Sequence, residues 1–160
     1  MPESPARPGA SGWAIRPAGP ADLDAVRRCV LEAYALYIPR IGREPAPMTA
    51  DYAELIGRGE VWVTEENGRV IGVLVLRPLA DSLFLENVAV LPACQGRGIG
   101  RALIAFAERH ARALGLPEVT LYTNERMTEN LLLYPRLGYV ETGRRTEEGF
   151  ARVYFRKPLA

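Results

Sequence analysis

Apolar and polar positions in the first third of the chain repeat with the period of a helix. Leu23, Val26, Val30 and Tyr34 follow one another at three- and four-residue spacing, which places them on one face of a helix. Pro20 stands where a helix favours proline, at its first turn. The pattern therefore predicts an amphipathic helix that buries one face.

Shorter apolar runs bounded by turn residues predict strands. The dipeptide Asn67-Gly68 is a strong hairpin signal, and it separates two such runs, 61–65 and 70–76. An apolar run over 82–91 predicts a further strand that leads into a glycine-rich turn. The other predicted strands cover 13–16, 119–122, 140–142 and 151–156.

The remaining helices are predicted from their boundary residues. One runs over 98–114 and is ended by Gly115 and Pro117. A shorter one begins at Thr49, a favourable N-cap, and ends near Gly57, and another covers 127–134. Prolines and glycines between 39 and 47 predict a loop.

These elements define the expected fold and domain. Their order, β-α-α-β-β-β-α-β-α-β-β, predicts an α/β (α+β) protein. We expect a mixed, mostly antiparallel twisted sheet of about six to seven strands, about four helices and one central β-α-β unit. Residues 13–160 are expected to form a single domain. Residues 1–12, rich in Pro, Ala, Ser and Gly, are expected to be a disordered tail.

Composition narrows the possible partners and location. The 160 residues are 48% hydrophobic and 24% charged with a formal net charge of +1, so no strong field favours nucleic acid or an anionic membrane. Two cysteines without CxxC spacing favour a reducing cytoplasm. A single histidine, His110, argues against a Cys/His metal site, and no metal is expected. No apolar run is long enough for a membrane span.

The segment from Gln95 to Gly100 carries the chemistry. It follows an apolar strand and opens a helix, where free N–H groups bind phosphate or pyrophosphate. A dinucleotide fingerprint fails because Arg101 occupies the place of its last glycine, and no lysine completes a Walker loop. The pattern Gln/Arg-x-x-Gly-x-Gly/Ala is satisfied in full. A tight strand-to-helix turn without a ligand is the alternative.

Two motifs resemble those of the GNAT acetyltransferase superfamily. Leu85-Glu-Asn-Val-Ala-Val-Leu-Pro92 with the glycine turn resembles its pyrophosphate-binding motif. Asn130-Leu-Leu-Leu-Tyr-Pro-Arg-Leu-Gly-Tyr139 resembles its second motif. The resemblance extends over 13–159 and implies the GNAT fold. It also implies transfer of acetyl from acetyl-CoA to a primary amine by direct attack in a ternary complex.

The resemblance also implies which residues hold the cofactor. The backbone of strand residues would hold pantetheine and the acetyl carbonyl, while the amides of the turn would hold the pyrophosphate. Two asparagines would make polar contacts, although Asn124 could instead cap a helix. In full, the cofactor-binding residues are Val88, Ala89, Val90, Gln95, Gly96, Arg97, Gly98, Ile99, Gly100, Arg101, Asn124 and Asn130.

Two residues are candidates for proton transfer. Tyr134 resembles the family's general acid for the departing thiolate; the alternative is a core tyrosine. Pro135 disfavours helical geometry at Tyr134, so a helix end or kink is expected there. Glu86 is the candidate base because it has the strand parity of Val88 and Val90 and interrupts an apolar strand. The alternatives are an ion-paired or solvent-facing glutamate, with a water chain as base.

The acceptor remains open. In the family, the first two helices and the closing strands build its site, which makes Arg144 and Arg145 candidates, together with Tyr34, Tyr37, Arg40, Asp51 and Tyr52. A small molecule or a protein amine would fit, and a homodimer is common among similar proteins. The main alternative is a non-catalytic acyl-CoA-binding sensor. A second alternative is a nucleotide-binding or redox domain, and nucleic-acid binding has little support.

Overall fold

Twelve helices and strands make up the regular structure of residues 12–160, the part of the chain that the structure, a computed structural model, describes. The strands are β1 Ala14–Pro17, β2 Val61–Glu66, β3 Arg69–Pro78, β4 Leu83–Val90, β5 Glu118–Asn124, β6 Val140–Glu147 and β7 Phe150–Pro158. The helices are α1 Leu23–Tyr34, α2 Tyr37–Ile41, α3 Tyr52–Gly57, α4 Ile99–Ala113 and α5 Thr128–Arg136. Three short 3₁₀ turns precede α1, α3 and α4.

The strands form one sheet in the order β1-β2-β3-β4-β5-β7-β6. β4 and β5 are parallel and are connected through α4, whereas β1–β2, β2–β3, β5–β7 and β6–β7 are antiparallel. The predicted fold class, with seven mixed strands and a central β-α-β unit, is confirmed.

The chain divides into two compact units. The first contains the residues up to Val75 together with Asn87–Ile104, and the second contains Leu76–Glu86 and Ala105–Ala160. The expectation of one domain over 13–160 stays a prediction. Residues 1–11 of the predicted tail lie outside the described residues.

In the first unit, the start of α4 packs close to β3 because the residue of β3 at the contact is Gly72. A Cβ at Gly72 would lie 3.0 Å from Thr64 Oγ1 and 3.3 Å from Ile99 Cγ2, closer than side chains normally pack. α1 covers the same unit with a fully apolar face: Val26, Cys29 and Val30 are at most 1% exposed. Burial raises the pKa of the Cys29 thiol to about 12.

In the second unit, a buried polar cluster joins α4 to the closing strand. Tyr139 donates its hydroxyl to Glu108 Oε2 at 3.0 Å, and Lys157 Nζ donates to Glu108 Oε1 at 2.8 Å. Burial raises the pKa of Tyr139 above its usual range, and the adjacent Glu108 adds to the effect. Each carboxylate oxygen therefore has a donor, as a buried acid requires.

Both tight hairpins have the turn residues that their geometry needs. Asn67 and Gly68, at φ 51° and 77°, connect β2 to β3 as predicted. Glu148 and Gly149, at φ 54° and 81°, connect β6 to β7 and let both strands run well beyond their predicted ends. A left-handed conformation at the glutamate is uncommon and is tolerated at this turn.

Two local predictions were wrong. The loop predicted between 39 and 47 begins inside α2, because Pro39 occupies the first turn of that helix, where its missing N–H costs nothing. Thr49 is not an N-cap but the last residue of a 3₁₀ turn. Asp51 caps α3 instead, since its Oδ1 accepts from Glu54 N–H at 3.1 Å. None of the helices in residues 12–160 has the length and hydrophobicity to cross a membrane.

Candidate active site

The glycine turn, defined as residues 95–101, brings several backbone N–H groups together at the start of α4. Gly96 and Gly98 have φ of +83° and +82°, and a Cβ on either would meet no atom within 4 Å. Ala102 N–H makes the first helical bond, to Gly98 O at 3.0 Å. The N–H groups of the preceding helical residues have no acceptor one turn back. Such a group of N–H donors is suited to an anion, and pyrophosphate binding at the turn stays a prediction.

The charges of the turn are only partly available. Arg97 forms a bidentate pair with Glu66 of β2, with Nη1–Oε1 at 3.1 Å and Nη2–Oε2 at 2.5 Å. This pair holds the pKa of Glu66 below its usual range. Arg101 is exposed on the first turn of α4. Backbone amides therefore carry more of the expected anion contacts than the Arg97 side chain.

The last residues of β4 offer a second set of backbone groups in the same unit. Leu91 N–H donates to Ile71 O of β3 at 2.9 Å, so by strand alternation Val90 and Val88 present their backbone groups at the opposite edge. Two of those carbonyls accept side-chain bonds: Val90 O from Gln95 Nε2 at 3.3 Å and Val88 O from Tyr34 Oη at 3.0 Å. Gln95 thereby braces the turn against its strand.

A buried asparagine that sequence reasoning missed fixes this end of β4. Asn87 is 4% exposed; its Oδ1 accepts from Tyr34 Oη, and its Nδ2 donates to Tyr52 Oη at 3.0 Å. Tyr52 in turn donates to Pro47 O at 2.5 Å. The signal that could have revealed it is a polar residue at a buried position of an otherwise apolar strand.

Five of the seven residues predicted to touch the acceptor lie in the first unit, in three groups. Tyr34 and Tyr52 are 9% and 2% exposed and belong to the asparagine network. Tyr37 packs beside Tyr34 with ring centroids 6.1 Å apart, and Arg40 lies over the Tyr37 ring at 5.3 Å. Asp51 is the exposed cap of α3. The structure thus gathers Tyr34, Tyr37 and Arg40, while their contact with an acceptor stays a prediction.

In the second unit, Glu86 has one oxygen paired and one without a partner. Arg77 Nη2 donates to Glu86 Oε1 at 2.7 Å. Glu86 Oε2 is buried and accepts no hydrogen bond from any described residue. The predicted ion pair therefore involves Oε1, whereas a role as catalytic base would involve Oε2 of the same carboxylate. A buried acceptor without a donor is costly, and a water or an amine proton would satisfy it.

Tyr134 lies in the second unit at the end of α5 and is 6% exposed. Its ring packs against Tyr139 and Phe155, with centroids 5.5 and 5.8 Å away. α5 does not end at Tyr134 but includes Pro135 and Arg136. The Tyr134 carbonyl accepts N–H bonds from Leu137 and Tyr139, both at 3.0 Å, which close the helix just past the proline.

The two asparagines predicted to contact the cofactor have local partners. Asn124 Oδ1 accepts from Arg126 N–H at 2.9 Å, which caps the turn before α5. Asn130 Nδ2 donates to Thr123 Oγ1 at 3.0 Å. The local-cap alternative for Asn124 describes this geometry, and cofactor contact by either residue stays a prediction.

Comparison with known proteins identifies the family. Residues 57–141 match the family model described as "Acetyltransferase (GNAT) domain", which is more than half of the chain. This chain therefore belongs to the GNAT acetyltransferase family.

Its relatives share part of their length with it. N-acetyltransferase family 8 member 3 of Rattus norvegicus is 32% identical over 88 residues, 51% of this chain and 39% of the rat protein. The uncharacterized N-acetyltransferase YjgM of Escherichia coli K12 is 33% identical over 82 residues, 49% of each chain. This chain thus spans less than half the length of these curated relatives.

Solved structures share the fold over nearly the whole chain. The PaiA N-acetyltransferase of Thermoplasma acidophilum, in complex with coenzyme A, aligns with a TM-score of 0.77 at 16% identity and covers 92% of this chain and 99% of its own. The ribosomal-protein-S18-alanine N-acetyltransferase of Escherichia coli aligns with a TM-score of 0.75 at 21% identity and covers 92% and 94%. At these identities the likeness concerns the fold.

Proposed function

We propose that this chain transfers the acetyl group of acetyl-CoA to a primary amine by direct attack. The observation that carries the proposal is the glycine turn. Two left-handed glycines at the start of a long helix, directly after β4, offer backbone N–H groups to a pyrophosphate. Membership of the GNAT family and the coenzyme A bound to a neighbour of the same fold support this assignment.

When bound, acetyl-CoA supplies an activated thioester carbonyl. The residues 95–101 bind its pyrophosphate through backbone amides, and the outward edge of Val88 and Val90 offers backbone groups to the pantetheine arm, as in β-augmentation. Val88 N–H is the proposed donor to the carbonyl oxygen as negative charge develops there.

Two side chains of the second unit are proposed to move protons. Glu86, directly or through water, takes a proton from the acceptor ammonium so that the neutral amine can attack, and its Oε2 is the oxygen without a partner. Tyr134 donates its hydroxyl proton to the departing sulfur. A C–N bond forms and the C–S bond breaks, and the second proton lost from the nitrogen restores the Tyr134 hydroxyl through solvent. The products are an N-acetylated amine, free coenzyme A thiol and one proton.

A screen of acetyl-CoA against a panel of amines tests this function. Free thiol release is measured with and without each amine, and mass spectrometry identifies the acetylated product. Amine-dependent release with an N-acetyl product is expected. Tight acetyl-CoA binding without turnover on any amine would instead indicate an acyl-CoA sensor, and a chain that does not bind acetyl-CoA would contradict both functions.

A further inference from the structure

A cleft of about 240 Å³ opens in the second unit where the β6–β7 hairpin meets the end of β5. Its walls include Glu125 and three arginines, Arg144, Arg145 and Arg152. Arg144 and Arg145 are among the predicted acceptor residues, but the chemistry of a ligand for this cleft has not been assigned. Its charges and their partners indicate what it could bind.

Arg152 is a buried cation with weakly placed counter-charges. Its side chain is 10% exposed, and its guanidinium lies over the Tyr122 ring at 4.3 Å and the Phe150 ring at 5.6 Å. The ion-pair contacts to Glu147 and Glu148 are 3.9 and 3.8 Å long, beyond hydrogen-bond distance. Burial of a charge is expensive unless hydrogen-bonded partners compensate it.

Arg145 lies directly opposite Arg152 in the β6–β7 pairing. Its guanidinium stacks over Tyr154 at 4.2 Å, and the Tyr154 and Tyr122 rings are themselves 5.5 Å apart. Like charges at opposed positions of a sheet destabilise it. Stacking on the rings fixes the faces of both guanidinium groups and leaves their N–H edges for other partners.

The acidic residues around the cleft are unevenly distributed. Arg144 is balanced by Glu141 at 3.1 Å and Glu125 at 3.4 Å. Arg152 faces Glu147 and Glu148, and the Glu148 side chain is 80% exposed at the hairpin turn. Because both acids lie beyond hydrogen-bond distance of Arg152, a ligand anion that hydrogen-bonds directly to this arginine would compete with them. The arginine pair of Arg145 and Arg152 is thus the part of the cleft suited to an anion.

The same face of the sheet also carries the proposed base. Tyr122, on which Arg152 stacks, contacts Phe84 with ring centroids 5.5 Å apart. Glu86 follows Phe84 by two residues in β4 and therefore shares its face. Burial raises the pKa of Tyr122, with Arg152 lowering it and Glu86 raising it, so both charges act on one ring.

We propose that Arg145 and Arg152 bind an anionic group of the acceptor, so that the substrate is a small amine that also carries a carboxylate or a phosphate. This inference rests on the proposed acetyl transfer. A polyamine is disfavoured as the acceptor, because the arginines would repel its positive charges. Glu86 lies on the same sheet face, where it can receive the amine proton.

The test compares amines that differ only in the anion. ω-Amino acids of increasing length are measured against their amides, and aminoalkyl phosphates against the corresponding amino alcohols. For wild type, kcat/KM should favour the anionic member of at least one pair by about tenfold or more, the effect of a charged hydrogen bond. Which pair responds distinguishes a carboxylate from a phosphate.

Substitutions then locate the effect. Arg152→Gln should bring the ratio close to one, and Arg145→Gln, at an exposed position, should lower it without threatening the fold. Arg156→Gln is the matched control, because Arg156 is on the same strand face but pairs with Glu118 at 3.0 Å. A wild-type ratio near one, or a ratio that survives both cleft substitutions, would overturn the proposal.

Failure of the proposed acetyl transfer can be distinguished from failure of the proposed anion subsite. If acetyl-CoA binds but no amine of the panel is acetylated, the proposed function fails, and titration with inorganic phosphate at constant ionic strength decides the subsite. Phosphate binding by wild type and Arg156→Gln that Arg152→Gln loses would support it. Wild type that does not bind phosphate would overturn it.

Discussion

The two carboxylate oxygens of Glu86 have different environments. Arg77 holds Oε1 at 2.7 Å, while Oε2 is buried without a partner among residues 12–160. If Oε2 takes the amine proton, Glu86→Gln keeps the shape and the Arg77 contact but removes the base. We expect kcat to fall about 10²-fold and the shape of the pH–rate profile to change.

The pH–rate profile of Glu86→Gln is therefore the measurement, with Arg58→Gln, in an exposed pair with Glu54 of α3, as the control variant. A profile that superimposes on the wild-type curve would return Glu86 to a purely ion-paired role and favour a water chain as base.

Tyr134 allows a test that separates chemistry from packing. Its ring contacts with Tyr139 and Phe155 survive in Tyr134→Phe. A donor to the leaving sulfur acts only as charge develops, so kcat should fall by roughly 10²–10⁴, on the order of 3–5 kcal/mol of barrier, with KM nearly unchanged. Steady-state kinetics with both substrates measure this. Lost acetyl-CoA affinity with kcat retained would make Tyr134 a cofactor contact.

At the scale of elements, the network around Asn87 ties α1 and α3 to β4. Asn87→Leu keeps the approximate volume but removes the partner that Tyr34 and Tyr52 share. We expect a loss of about 1–3 kcal/mol in the free energy of unfolding, measured by urea denaturation. A double-mutant cycle with Tyr34→Phe should show coupling above about 0.5 kcal/mol. Simple additivity would mean that the three groups act independently.

The start of α1 is held to β1 by charge. Arg16 donates to both oxygens of Asp22 at 2.8 and 2.9 Å, and Gly19 N–H donates to Asp22 at 2.7 Å. The Arg16 bond, assisted by the Gly19 N–H, holds the pKa of Asp22 below its usual range. This stabilisation is present above the unfolded pKa of about 4 and is lost as the pH falls through the folded value.

Asp22→Asn should therefore lower the free energy of unfolding by about 1 kcal/mol at pH 7, because asparagine can still accept from Gly19 but loses the charge. The difference from wild type should shrink below pH ~4. Urea unfolding at several pH values measures it, with exposed Asp24→Asn as control. A difference that is constant with pH would contradict the assignment.

Local rules explain which elements were predictable. Asn67-Gly68 and the apolar run of β4 have signals that depend on neighbouring residues alone. The β6–β7 hairpin was predicted too short because β6 has no buried residue and is held by its pairing with β7. α2 was missed because Pro39 breaks a helix in the interior but not in its first turn.

For the whole molecule, the order of elements and two motifs were enough to predict the fold and the glycine turn. Contacts between residues far apart in the sequence could not be predicted. Such contacts depend on strand register and side-chain packing, which neighbouring residues in the sequence do not reveal. Examples are Asn87 with Tyr34 and Tyr52, Glu86 with Arg77, and Arg152 with Tyr122. Such contacts decide which of several plausible residues serve a site.

Acetyl-CoA binding by the backbone amides of the glycine turn can be measured by calorimetry. Acetyl-CoA is titrated into wild type, Gly98→Val and Gly100→Ala. A Cβ at residue 98 would meet no protein atom within 4 Å, so we expect the valine to obstruct the ligand more than the fold, although its φ of +82° would cost roughly 1–2 kcal/mol of stability. A Cβ at residue 100 lies an ordinary 3.9 Å from Val90.

We expect folded Gly98→Val to bind acetyl-CoA at least about tenfold more weakly than wild type, and Gly100→Ala to bind it nearly as well as wild type. Acetyl-CoA affinity in folded Gly98→Val equal to that of wild type, or a wild-type chain that does not bind acetyl-CoA, would contradict it.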